Sequence, residues 1–430
     1  MHATAAEFNQ GLLSFIDHSP TPFHAVATMV EQLESQGFIA LKESEIWGEL
    51  SPGRYYVVRN NSSIIAFHQP SKSLADTGFT MVGAHTDSPC LKVKPKPGKV
   101  ANGLWQLGVE VYGGALLNPW FDRDLSLAGR VSYLDRDEQL QHALVNFEKP
   151  IAVIPSLAIH LDREVNQNRS VNPQLHLPPI IMQTEPGETP DFRALLEQQL
   201  TSQYPDRYIG QVLDYEICLY DTQPSAMTGL NDDFISAARL DNLLSCYTGL
   251  QALLASDSEK PVMLICTDHE EVGSVSTSGA QGTFLQSVLQ RLAPSSEAYA
   301  RLVEHSWLIS ADNAHGIHPN YADRHDASHG PLLNNGPVIK TNANQRYASN
   351  SETSARFRQI CQQADVPVQD FVVRTDMACG STIGPLTAAQ IGVKTIDIGV
   401  PTFAMHSIRE LAGSQDAWHL YRALKHFFNK

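Results

Sequence analysis

The stretch that most constrains how this chain can fold is Pro261 to Ser274, PVMLICTDHEEVGS. Val262 to Thr267 is an unbroken apolar run, long enough for a buried strand and too short for a buried helix. It ends abruptly in Asp268, His269, Glu270 and Glu271, after which Gly273 and Ser274 let the chain turn. Adjacent carboxylates at the end of a buried strand repel each other and resist leaving water, so they require a compensating cation. At neutral pH the obvious one is a metal ion. If Glu271 binds it, Glu270 is held alongside, free to take a proton from the attacking water. Alone, the pair would read as an exposed acidic turn; the rest of the ligand set decides against that.

The same pattern recurs along the chain. Phe79 to Ala84, FTMVGA, is a second buried-strand run and leads into His85, Thr86 and Asp87. Trp307 to Ala311 leads into Asp312, and the run VKTIDIGVP precedes Met405 and His406. Leu240, Leu243, Leu244, Tyr247, Leu250, Leu253 and Leu254 keep one helical face, with Asp241 among them near its start. Together, His85, Asp87, Asp241, Glu270, Glu271, Asp312 and His406 supply two histidines and several carboxylates to one edge of one sheet. That mix of nitrogen and oxygen ligands suits zinc or, less tightly, manganese or cobalt. Two ions fit it better than one. The spacing of His85 and Asp87 lets the aspartate accept the second ring N–H of a ligating histidine and fix its tautomer. Asp241 is the best candidate to bridge, giving one oxygen to each ion.

Around these strands, Phe8, Leu12, Leu13 and Ile16 recur at helical spacing. A second helix follows, with Thr21 as N-cap, Pro22 at its first position and Gly37 closing it. Arg54 to Arg59 and Ser63 to His68 read as strands joined at Asn60-Asn61. From Leu91 the texture changes: KVKPKPGKV reads as a basic, proline-broken linker, and the turn-rich segment beyond it as a mostly β domain inserted into the first. The expected division is residues 1–92 and 235–430 for a discontinuous catalytic domain and 93–234 for the insert. Strand and helix alternation outside the insert makes the fold class α/β, with sites at strand carboxyl ends.

Composition excludes some functions. With 46 acidic and 31 basic residues the formal charge is -15, which argues against nucleic acid and anionic membranes as partners. No run approaches the roughly 18 apolar residues of a membrane span. The amino terminus has no basic segment followed by an apolar one, so no secretory signal is expected. The six cysteines show neither CxxC spacing nor a dense cluster, which fits reduced, mostly buried thiols and a cytoplasmic location.

The motifs VGAHTDSPCLKVKP, WFDRDLSLAGRV, AIHLDREVNQN, ARLDNLLSC, DHEEVGS, SADNAHGIHPNY, GPVIKTNANQRYASN, CGSTIGP and AMHSIRE, in this order, resemble the aspartyl aminopeptidase family of co-catalytic zinc peptidases over nearly the whole chain. The resemblance implies an α/β/α sandwich of the zinc-aminopeptidase type, with the insert serving dimerisation and substrate access. It implies two zinc ions per subunit: His85 and Asp312 on one, Glu271 and His406 on the other, and Asp241 shared. Glu270 would be the general base, with Asp87 the second catalytic residue, as partner to His85. The likeness points further to substrate contacts from His160, His315, Lys340 and Tyr347, with His160 reaching a neighbouring subunit's site. The implied substrate is a peptide with a free N-terminus, acidic by preference. The implied assembly is a homo-oligomer, dimers building a tetrahedral dodecamer. The competing readings are a di-metal deacylase or carboxypeptidase, which would cleave N-blocked substrates, and a catalytically silent assembly protein.

Overall fold

Alternation along the central strands fixes the layers. In Thr80–His85, Val82 and Ala84 face one side and Met81 the other; in Val262–Thr267, Leu264 and Cys266 oppose Met263 and Ile265. All of these side chains are buried, so both faces of the sheet are covered. The computed structural model describes residues 4–257 and 259–430. Its first compact unit comprises residues 4–87, 225–405 and 410–430, and its second 88–224 and 406–409.

In the first unit a nine-stranded sheet runs in the order Ile39–Leu41, Gly53–Arg59, Ser63–Gln69, Val262–Thr267, Thr80–His85, Trp307–Ala311, Lys394–Gly399, Val338–Lys340, Gln369–Phe371. The four strands from Val262–Thr267 to Lys394–Gly399 are mutually parallel, so their carboxyl ends share one edge. Helices Ala5–Asp17, Pro22–Ser35, Leu240–Leu254, Ser351–Gln363 and Asp416–Phe428 contribute to the core on one face. Helices Phe284–Leu292 and Ser296–His305 contribute to the core on the other. The α/β sandwich expected from the sequence is present. A smaller five-stranded sheet joins Ala226–Thr228, Phe234–Ala237, Glu410–Gly413, Pro401–Phe403 and Ala314–His315.

Local signals account for the elements. The second helix starts at Pro22, and the Thr21 hydroxyl accepts the His24 N–H as its cap. Asn60 and Asn61 both take φ of 55°, as the turn between Gly53–Arg59 and Ser63–Gln69 demands. Gly249 lets its helix settle on the sheet: a Cβ there would stand 2.7 Å from Leu264 Cδ1. Phe8 ties three helices together, its ring 5.1 Å from that of Tyr247 and 4.9 Å from that of Tyr421. Each such pair adds about 0.5–1.5 kcal/mol beyond area burial.

The second unit is a six-stranded antiparallel sheet, ordered Leu140–Asn146, Leu125–Leu134, Val212–Asp221, Cys90–Ala101, Leu104–Tyr112, Ile180–Gln183. Helix Phe192–Gln203 packs Phe192, Leu196 and Leu200 into its core. The expected linker after Leu91 is instead a strand, Cys90–Ala101. Its prolines, Pro95 and Pro97, lie where the pairing with Leu104–Tyr112 shifts register, between Val93 and Gly98, where a missing N–H breaks no ladder bond. Among the described residues, no helix is long and apolar enough to cross a membrane. Cys218, Cys246, Cys266 and Cys361 are buried free thiols.

Two histidines couple folding to acidity. Burial pushes His68 and His24 down to about 4, and the nearby Arg239 guanidinium adds to the effect at His24. A histidine depressed on folding stays neutral in the native state while the unfolded chain takes up a proton, so its stabilisation is complete above pH 6.5 and is lost as pH falls from 6.5 towards 4. Each of the two should therefore subtract from the unfolding free energy across this window, with a slope approaching about 1.4 kcal/mol per pH unit, against buried carboxyls such as Glu270, whose raised pKa works the opposite way. Denaturant titrations of wild type and His68→Gln at pH 7, 6, 5 and 4 check this: the stability of wild type relative to the variant should fall as pH falls, because the carboxyls are common to both.

Candidate metal centre

Strand register brings the site together. Thr267 pairs with His85 and Gly83 with Ser310, so the residues after Thr267 and Ala311 emerge beside His85. Past Thr267, His269 at φ 65° and Gly273 at φ 95° bracket a single tight turn that carries Glu270 and Glu271. Asp241 arrives from a different direction. Its own φ and ψ, -83° and 103°, are not helical, so the regular helix begins after it, and its carboxylate faces His85. Its main-chain N–H donates to Glu410 Oε2 at 2.8 Å, and Asn242 Nδ2 donates to the Ala311 carbonyl at 2.8 Å. Arg239, in the left-handed region at φ 57°, fixes the approach by donating to the carbonyls of Ser19 and Ile16.

His85 is the hub. Its Nε2 lies 3.3 Å from Asp241 Oδ1 and 3.6 Å from Asp312 Oδ1. Its Nδ1 is 3.0 Å from the main-chain carbonyl of Asp87 and 3.4 Å from Asp87 Oδ1, so a proton on Nδ1 leaves the Nε2 lone pair facing the carboxylates. The Asp87 carboxylate also holds the glutamate turn, Oδ1 accepting the N–H of Glu270 and Oδ2 that of Glu271, each at 3.1 Å. One buried carboxylate thus ties the histidine to the turn that carries both glutamates.

The electrostatics are those of a crowded anionic pocket. Burial first, then the charges of Asp312, Asp241 and Asp87 working against His85, push Glu270 up to about 7. Burial and the Asp241 charge raise Glu271 to about 11. Burial opposes a charge on His85, but Asp241, Asp312 and Asp87 outweigh it and raise the ring's pKa. One ligand atom each from His85, Asp241 and Glu271 lie within 4.8 Å of one another, in the arrangement that a single ion could share. A buried imidazole nitrogen facing two carboxylates, beside two glutamates pushed towards their protonated forms, is relieved when a divalent cation replaces the protons. The donor set fits zinc.

The remaining residues expected from the sequence fall into two groups. Asp312 adjoins the cluster through His85, and its Oδ2 is 3.6 Å from Lys340 Nζ. Lys340 is 2% exposed, donates to the Asn313 carbonyl at 3.0 Å and sits 5.3 Å from the centre of the Tyr347 ring. Burial and the thiol of Cys379 push the Tyr347 phenol far up. Loss of surrounding water and then the Lys340 charge push His315 down, which favours its neutral form. The other group belongs to the second unit. His406, at φ 68°, has Nδ1 3.2 Å from the Gly114 carbonyl. His160 lies on an exposed stretch beside the exposed side chains of Leu157, Ile159 and Leu161. The three-residue cluster includes neither Asp312 nor His406.

Sequence reasoning assigned no role to Glu410 or Asp397. Glu410 is legible only through the fold, because what it holds is the main chain of Asp241. Asp397 did leave a signal, an acid inside the apolar run TIDIGV.

Comparison with known proteins agrees with this fold. The family model described as Aminopeptidase I zinc metalloprotease (M18) matches residues 15–428. The chain is 60% identical over 423 residues to a probable M18 family aminopeptidase 2 of Pseudomonas savastanoi pv. phaseolicola, covering 98% of each. It superposes on a chain from the complex of Ape4 and Nbr1 with a TM-score of 0.95 at 40% identity, covering all of this chain and 87% of that one. It also matches the S. cerevisiae mApe1 dodecamer with a TM-score of 0.86 at 26% identity, covering 99% of this chain and 97% of that one.

Proposed function

The chain belongs to the M18 family of zinc metallo-aminopeptidases, and on that premise we propose that it removes Asp or Glu from the free amino ends of peptides at a centre holding two zinc ions per subunit. The observation that carries this reading is the buried carboxylate cluster around His85, where Asp241, Asp312 and Glu271 together bear more negative charge when ionised than one divalent cation cancels. His85 and Asp312 would hold one ion, Glu271 and His406 the other, with Asp241 common to both. Zinc, when bound, lowers the pKa of water towards about 7 and polarises the amide carbonyl.

The chain's own residues supply the rest. Glu270 takes a proton from the attacking water and returns it to the departing amine, and its burial keeps its basicity suited to both transfers. Asp87 keeps Glu270 in place through its main-chain N–H. Tyr347 and the segment Cys379–Pro385 donate to the developing oxyanion. Lys340 provides the cation that faces an acidic side chain, and His315 adds a neutral N–H. His160 would complete the site of a neighbouring subunit, in dimers that build a tetrahedral dodecamer through the inserted unit. The dodecameric mApe1 and the exposed apolar side chains beside His160 support that assembly. The buried free cysteines support a reducing, cytoplasmic setting.

Release of free amino acid from a panel of unblocked and N-blocked dipeptides, before and after chelation and with zinc added back, tests the reaction. Hydrolysis should require a free amine, vanish on chelation and return with zinc. For selectivity, Lys340→Ala should lower the ratio of Asp-amide to Leu-amide turnover by about tenfold or more, the scale of a lost charge-assisted contact. An unchanged ratio would remove Lys340 from substrate recognition.

A further inference from the structure

Asp397 is a fully buried carboxylate that the reaction does not use. It lies in strand Lys394–Gly399, where Ile396 and Ile398 point into the main core and Asp397 points the opposite way. Its Oδ2 accepts the main-chain N–H of Ala348, the residue after Tyr347, at 2.6 Å. Its Oδ1 accepts the hydroxyl of Thr382 at 2.6 Å. Its main chain bonds on both sides to the Ser349 hydroxyl, which accepts the Asp397 N–H at 3.0 Å and donates to the Asp397 carbonyl at 3.3 Å. Gly384 makes room for it: a Cβ there would stand 2.4 Å from both carboxylate oxygens.

Two loops thus meet on one side chain. They also touch where Tyr347 packs against Cys379, and at the surface Arg346 Nε donates to the Gly380 carbonyl and the Ser381 hydroxyl donates to the Arg346 carbonyl, each at 3.3 Å. Both of those bonds are exposed and compete with water, whereas the pair made by Asp397 is shielded from it. An acid in the interior of a strand is costly to bury, and a hydrophobic residue there would serve packing alone. What an apolar side chain could not do is hold two separate segments by their N–H and O–H groups.

We propose that Asp397 is a positioning residue: its carboxylate pins the segment carrying Tyr347 to the segment Cys379–Pro385, and turnover requires the two to be held in that fixed relation. The proposal rests on the reading above that both segments face the substrate. Its consequence for specificity is that Lys340, Tyr347 and the Cys379–Pro385 loop act as one preorganised rim rather than as independent contacts.

The test uses full-length, zinc-loaded protein carrying Asp397→Ala or Asp397→Asn. Alanine removes both acceptors. Asparagine restores them in part: its carbonyl oxygen can accept the Ala348 N–H, and the Thr382 hydroxyl can turn to accept from Nδ2. For alanine, kcat should fall about 100-fold with KM within about threefold of wild type and zinc content unchanged, since an arrangement needed only at the transition state is lost. Amide hydrogen exchange should rise about tenfold or more in peptides covering 342–350 and 379–385, and not in 262–267. Asparagine should recover most of both. A rise confined to 394–399, or an alanine variant within about threefold of wild-type kcat, would overturn the proposal. Should the alanine variant fail to fold, Thr382→Val removes one donor only; the same two segments should loosen to a smaller extent, and unchanged exchange in both would overturn it. If wild-type protein hydrolyses no peptide, the functional reading fails, and exchange alone decides the anchoring.

Discussion

Replacing Glu270 by Gln should lower kcat by about 10³-fold, within the range that general bases contribute, while KM stays within a few-fold of wild type and zinc content is unchanged. The substitution is nearly isosteric and leaves the main-chain N–H of residue 270 on Asp87 Oδ1, so the turn that also carries Glu271 keeps its shape. What disappears is the ability to accept a proton. It also removes one negative charge from a pocket in which Asp312, Asp241 and Asp87 already work against it, so the fold has no reason to suffer. Steady-state kinetics on an unblocked dipeptide, together with elemental analysis of the same preparation, separate loss of the base from loss of the metal. Turnover within tenfold of wild type would take the role of base away from Glu270.

The second large effect is expected at Asp241. Asp241→Asn should reduce bound zinc below two ions per subunit and bring turnover below about 1% of wild type, because one neutral carbonyl oxygen cannot serve two cations as a carboxylate can. The side chain is held in place by the main chain, through the N–H to Glu410 and the neighbouring Asn242 amide on Ala311, and neither contact depends on the charge of residue 241. The variant should therefore fold, and the deficit should be one of affinity. A ligand that binds only the folded state raises stability by RT ln(1 + [L]/Kd), so the gap in Tm between zinc-loaded and chelator-treated protein should shrink in the variant. Full two-ion loading with an undiminished gap would show that Asp241 is not shared.

Much of the first unit is legible in the sequence because burial and chemistry leave different marks on one strand. FTMVGA and VMLICT are apolar throughout, as strands covered on both faces must be, and each breaks into charge at its carboxyl end. His85, Glu270, Glu271 and Asp312 could be gathered on that ground alone, and Asp241 as an acid on an apolar helical face. Three features resisted. The strand Cys90–Ala101 was disguised by its prolines, although Lys92, Lys94 and Lys96 keep the two-residue period of a strand. The second role of Asp87, receiving the N–H groups of Glu270 and Glu271, joins residues more than 180 positions apart, and no local pattern encodes it. The lowered pKa of His315 comes from burial first and then from Lys340, and only the folded chain sets either.

The order of strands in the large sheet bears on how the protein must be made. Ser63–Gln69 and Thr80–His85 are consecutive in the chain, yet Val262–Thr267 lies between them. During synthesis, then, two apolar ribbons leave the ribosome and wait for a third that appears nearly two hundred codons later. Until it arrives each presents an open edge to any other extended chain nearby. Messages cut short before Val262 would yield fragments with both edges exposed and no Glu270, sticky but without the general base proposed here.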